Sequence, residues 1–250
     1  MIKPRSASLL AAMATILVFA AQTGAAQAQG ISVSVDGTGS LAQTSIQLIA
    51  LITLLSLVPG LAIMVTCFPF LVTVLSILRQ AIGLQQSPPN MLIVSLALFL
   101  TFFIMEPVFT EAWEQGIRPF SDGEIDAPAA FGQAIEPFRA FMAARIDPDT
   151  FMTLADLRPD VDAGAPPTPA SPLSLLVPSF LLSEISRAFQ IGFLIFLPFL
   201  VIDLVVAAVL MSMGMMMVPP AIVSLPFKLA FFVVADGWAL ISEALVRSYF

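Results

Sequence analysis

Residues 189–229 read FQIGFLIFLPFLVIDLVVAAVLMSMGMMMVPPAIVSLPFKL. A run this apolar is stable only inside a membrane or against other protein. It nevertheless carries one acid, Asp203, and one base, Lys228. Between them lie Met211, Met213, Met215, Met216 and Met217, followed by Pro219-Pro220. If the chain forms two antiparallel helices that turn at the methionines, the two charges stand at the same depth. At about 1.5 Å rise per residue that depth is roughly 18 Å from the turn. Burying either charge alone is costly, so each needs a partner. An acid and a base at matched depth in apolar surroundings mark a candidate functional site.

The rest of the composition agrees with a membrane protein. Hydrophobic residues make up 58% of the chain and charged residues 11%, whereas a soluble domain carries about a quarter charged residues. The net charge of −7 argues against nucleic-acid binding, which requires a basic surface. There is no histidine and a single cysteine, Cys67. This excludes histidine-based catalysis, most zinc sites and an intrachain disulfide. No phosphate loop, zinc motif, dinucleotide fingerprint or nucleophile elbow is present, so no cofactor is expected.

In chain order, residues 1–28 have the layout of a secretory signal peptide. Lys3 and Arg5 form the basic region, Leu9 to Ala21 the apolar core, and Ala26-Gln27-Ala28 the cleavage site. Cleavage after Ala28 places the mature N-terminus outside the cytoplasm; the alternative is an uncleaved first transmembrane helix. Residues 29–45 form a polar, flexible lead-in. The first apolar segment, 46–78, exceeds the roughly 20 residues needed to cross a bilayer. Pro59-Gly60 and Pro69 interrupt it, which predicts a broken or kinked helix. The loop Arg79–Asn90 carries a base and no acid, and so belongs on the cytoplasmic side. A second apolar segment, 91–108, returns outward.

Residues 106–162 change character. Acids from Glu106 and Glu111 to Asp160 and Asp162 outnumber the bases Arg118, Arg139, Arg145 and Arg158. The expectation is an acidic extracytoplasmic helical region, 109–184, whose carboxylates form a solvated face. Glu136-Pro137 followed by Phe138, Phe141 and Met142 predicts an amphipathic helix with proline near its first turn. Gly164–Pro172 reads as an extended proline-rich linker. Glu184 and Arg187, three apart, share a helix face at the start of the apolar stretch. Segments 185–211 and 221–241 complete four apolar segments. Residues 46–108 then form one helical hairpin and 185–250 a second. The fold class is an all-α integral membrane protein.

Three readings of the central stretch stand side by side. Ser224, four residues before Lys228, allows a Ser-Lys hydrolase arrangement. The Asp203–Lys228 pair serves either to fix helix register or to set how subunits assemble. The methionines form either a turn packed on lipid and helices or a conformable apolar plug, since methionine is unbranched and adaptable.

Several blocks of the chain resemble the FliP family of flagellar type III export gate proteins, called SctR in injectisomes. They are LRQAIGLQQSPPN (residues 78–90), LALFLTFFIMEPVF (96–109), Pro119-Phe120-Ser121, the stretch 189–220, LPFKL (225–229) and Asp236-Gly237-Trp238. The resemblance covers about residues 46–250. It implies a subunit of a protein-conducting channel rather than an enzyme. Such a chain is expected to form a homo-oligomer, a pentamer by resemblance, with FliQ- and FliR-like subunits in the flagellar basal body. Unfolded flagellar proteins are the expected cargo. The resemblance assigns Met215, Met216 and Met217 to the constriction of the closed pore. It matches Asp203 and Lys228 to buried family charges, and Glu184 to an acid of the external region. The signal peptide favours the flagellar branch over the injectisome. A stand-alone solute channel is the alternative from a different class. The resemblance also implies an assembled complex sitting largely above the bilayer plane.

Overall fold

A computed structural model describes residues 41–84, 88–159 and 166–250. The expected signal peptide and most of the lead-in lie outside these residues. Every regular element among the described residues is helical. In order they are α1 (Leu41–Met64), α2 (Phe68–Ile82), α3 (Asn90–Ala112), a π-helical turn (Trp113–Ile117), α4 (Arg118–Ser121), α5 (Ala127–Arg145), α6 (Pro148–Ala155), α7 (Leu173–Ser212), α8 (Pro220–Val234) and α9 (Gly237–Arg247). Among the described residues, those up to Thr53 fall in one unit and Leu54–Phe250 form a second.

Its centre is α2. Phe70, Leu71, Val74, Leu75, Leu78, Ala81 and Ile82 repeat at helical spacing and are 2% exposed or less. Each large member of this set contributes roughly 1.5–3 kcal/mol by leaving water. The helix packs chiefly against α7, and also against α3 and α8. Gly192 of α7 permits the close approach: a Cβ there would lie 3.1 Å from Ile77 Cγ2 and 3.2 Å from Ile77 Cβ. A second, smaller core joins α5, α6 and the start of α7 through Met142, Ile146, Phe151, Leu175, Leu176 and Phe180. An apolar pocket of about 560 Å³ opens where Thr66 and Phe68 face α3 and α5.

The 46–78 segment is broken, but not at the glycine expected to interrupt it. The chain stays helical through Pro59-Gly60 and breaks at residues 65–67. Thr66 makes the break: its hydroxyl donates to Ile63 O (2.8 Å) and accepts from Phe68 N (3.3 Å). Pro69 then sits in the first turn of α2, where a missing N–H costs nothing. The described end of the lead-in, residues 41–45, is already helical.

The amphipathic helix expected at Glu136-Pro137 starts earlier in the chain. α5 begins at Ala127, with Asp126 capping it by accepting from Ala129 N at 3.1 Å. Pro137 therefore lies in the helix interior, not in its first turn. Asp147 caps α6 in the same way, accepting from Thr150 N at 3.0 Å. Two of the acids thus serve as N-caps. The described end of the proline-rich linker is pinned to α5, since Arg139 donates to Pro169 O (2.8 Å) and Ser171 O (3.1 Å).

Among the described residues, two helices are long and apolar enough to cross a membrane: Asn90–Ser121 and Leu173–Ser212. A third is reached if α8 and α9, bent by 61° at Asp236-Gly237, count as one span. The 40 residues of α7 extend about 60 Å, twice the roughly 30 Å hydrocarbon core. Its first part accordingly belongs to the protein body, where Ser179, Ser183 and Glu184 are buried.

Candidate functional site: a buried ion pair beneath a methionine turn

α7 and α8 run back to back and join at the methionines, because each helix end there is coded locally. Gly214 adopts a left-handed conformation (φ 75°). Met215 N donates to Leu210 O (3.0 Å) and Gly214 N to Met211 O (3.1 Å). These two bonds are a Schellman cap, which satisfies the last carbonyls of α7 and requires a residue tolerant of positive φ. On the other side, Pro219 is the N-cap of α8 and Pro220 occupies its first turn. With α7 closed by this cap and α8 opened by prolines, the turn presents side chains outward. Met215 is 38% exposed, Met216 82% and Met217 97%.

Below the turn the two charges meet. Lys228 Nζ donates to Asp203 Oδ2 at 2.6 Å, and Ser224 Oγ donates to Asp203 Oδ1 at 2.5 Å. Lys228 is 5% exposed and Ser224 fully buried, while the Asp203 side chain keeps 31% exposure. Lys228 Nζ also donates to Ala81 O at 3.1 Å. That carbonyl lies in the last turn of α2, which ends at Gly83. Carbonyls there lack intrahelical donors and carry the negative end of the helix dipole, so an ammonium fits. One side chain therefore joins α8, α7 and the C-terminal end of α2. Ser224 directs its proton to the carboxylate, which replaces the Ser-Lys arrangement with a three-residue cluster around Asp203.

Glu184 stands elsewhere. It is fully buried and accepts from Arg145 Nε at 3.1 Å and from the Tyr249 hydroxyl. Arg187 approaches it only to 3.9 Å, so the i,i+3 pairing is the weaker contact. Arg145 lies 3.9 Å over the Tyr249 ring and donates to Ser248 O at 2.8 Å. Tyr249 also packs edge-on to Phe70 and stacks on Phe141. Burial, and then the Glu184 carboxylate, push the Tyr249 phenol above its ordinary range. The cluster fastens the end of the chain to α5, α7 and α2.

Of the residues singled out in the sequence, the structure thus joins Asp203 and Lys228. It places Met215–Met217 at the turn above them and separates Glu184 from both. Sequence reasoning missed Ala81 O, Arg145 and Tyr249. A main-chain carbonyl leaves no trace in a sequence. Arg145 and Tyr249 are 104 positions apart and carry no shared spacing. Among the described residues no three His, Cys, Asp or Glu side chains come together as a metal site.

The FliP family model matches residues 51–245. Flagellar biosynthetic protein FliP of Caulobacter vibrioides is 45% identical over 246 residues, 98% of this chain and 91% of that protein. The protein of the same name from Rhizobium meliloti is 45% identical over 94% of this chain and 97% of its own length. That of Bacillus subtilis is 45% identical over 82% of this chain and 92% of its own length. The matches run through the helices that carry both polar clusters and the methionine turn.

Proposed function

Because the chain belongs to the FliP family, we propose that it is a subunit of the flagellar type III protein export gate. It contributes to the channel through which unfolded flagellar subunits leave the cell during flagellum assembly. It is a conduit component and not an enzyme. The observation that carries this reading is identity of 45% maintained across 98% of the chain, with the relatives named as flagellar biosynthetic proteins.

Within that role the methionine turn is the closing element of the pore. Three soft side chains on this turn, repeated by copies around an axis, form an apolar gasket. Methionine suits the task because its thioether stem repacks around an irregular passing chain. The Asp203–Lys228 pair is the assembly contact that sets how this hairpin seats, and Glu184 holds the far end of α7. The chain works as a homo-oligomer, a pentamer by resemblance, with FliQ- and FliR-like membrane subunits in the basal body of the bacterial inner membrane. Wide apolar faces support such neighbours: Phe99 and Phe102 on α3, and Phe189, Phe193, Leu194 and Leu204 on α7, are exposed.

The topology follows from the same reading. Residues 46–108 and 185–250 are the two apolar hairpins, with 46–78 entering the apolar layer as a broken helix pair. Residues 109–184 and the mature N-terminus face outward, and the methionine turn faces the cytoplasm. The test is affinity purification of the tagged chain from flagellated cells. Co-purification of FliQ- and FliR-like subunits is expected. A chain recovered alone, binding a solute as a single component, would overturn the reading in favour of a stand-alone channel.

A further inference from the structure

Asp203 has two carboxylate oxygens, and α8 supplies a separate donor to each: Lys228 to Oδ2 and Ser224 to Oδ1. The donors are four residues apart, so they lie on one face of α8 a single turn from each other. They are not equivalent. A lysine ammonium sits on a flexible four-carbon stem and follows its partner through small displacements. A serine hydroxyl hangs from Cβ and has no reach. Ser224 is fully buried, and its other acceptor, Ala221 O, lies farther away at 3.2 Å. Sliding α8 by one residue along α7 moves its donors about 1.5 Å along the axis and turns them by about 100°. The lysine survives much of that shift and the serine bond does not.

We infer that Ser224 is a positioning residue of the methionine turn: through Asp203 it fixes the register of α8 against α7 and so the height at which Met215–Met217 stand. Lys228 supplies the charge and ties the pair to α2, while Ser224 supplies the discrimination. This role rests on the gasket reading only for its consequence, since the register itself is a property of the hairpin.

The test is a double-mutant cycle on the purified gate complex, read by hydrogen exchange of the turn amides of residues 213–218. Ser224→Ala is expected to speed exchange about tenfold or more, the effect of one hydrogen bond to a charged acceptor. Asp203→Ala is expected to speed it as well. The double variant is expected to exchange no faster than Asp203→Ala alone, because the serine acts through that carboxylate. Fully additive effects, or unchanged exchange in Ser224→Ala, would overturn the inference. If Asp203→Ala yields no complex, Ser224→Cys decides instead. It keeps the volume but is a poor donor, so it must match Ser224→Ala, and wild-type protection would refute the role. Deleting Met215–Met217 and measuring resting membrane conductance tests the gasket separately. A tight membrane there removes the gasket reading and leaves the exchange cycle to judge Ser224.

Discussion

Removing the Lys228 ammonium leaves two acceptors short of a donor, one on Asp203 and one at the end of α2. Breaking a buried pair from one side costs about 3–5 kcal/mol. Lys228→Ala belongs toward the lower side of that range, because the Asp203 side chain keeps 31% exposure. The expected result is loss of assembled complex and of motility, and wild-type values of both would contradict it. At the other cluster, Tyr249→Phe keeps the ring on Phe70 and Phe141 but leaves Glu184 one donor short, at a cost of about 1–3 kcal/mol. Thermal denaturation of the purified complex measures it. Tyr249 also sets a pH limit. Its folded phenol is held above the ordinary value, so its contribution is complete below the unfolded value of about 10 and fades as pH rises above it. It is the sole tyrosine of the chain, so the phenolate absorbance lost in Tyr249→Phe reports it alone, and titration at the ordinary value would contradict the burial. Asp203 and Lys228 were legible in the sequence because a lone acid and a lone base in an apolar run have few ways to be satisfied. Their third partner, Ala81 O, was not, because every residue carries the same carbonyl.

Helix ends decide where the methionines stand. Gly214 closes α7 with positive φ, and Pro219-Pro220 open α8. An L-residue in the left-handed region costs about 1–2 kcal/mol. Gly214→Val is therefore expected to lower the melting temperature of the complex by a few degrees and to raise its resting ion leak. Unchanged stability would show that the cap is dispensable. The turn was readable from sequence, since glycine, methionines and two prolines lie together between long apolar runs. The break before α2 was readable in part. The sequence suggested breaks at Pro59-Gly60 and Pro69; the chain stays helical through the first and breaks just before the second, where Pro69 enters the first turn of α2 and the Thr66 hydroxyl bonds across the break. The start of α5 was misjudged for a related reason: Pro137 looks like a first-turn proline, but Asp126 with Pro128 offers the better start.

At the scale of the whole molecule, apolar surface is the dominant unsolved demand on the chain. Exposed phenylalanines and leucines run along α3, α7 and α8, more than a lone soluble body tolerates. Copies of the chain, FliQ- and FliR-like subunits and lipid meet that demand in the proposed gate. The hydropathy of the sequence revealed the long apolar helices α3 and α7. It did not reveal that the 40 residues of α7 serve two environments, because buried protein and bilayer both exclude water. The proposed signal peptide is expected to be cleaved after Ala28, so N-terminal sequencing of the mature protein should begin at Gln29, and a first residue of Met1 would contradict it. In the proposed gate the methionine turn seals the resting channel. The most direct measurement is the membrane conductance of resting cells that carry assembled gates with Met215, Met216 and Met217 replaced by glycine. Leakage of small ions with continued protein export is the expected result. Conductance equal to wild type, in cells shown to contain the assembled gate, would contradict it.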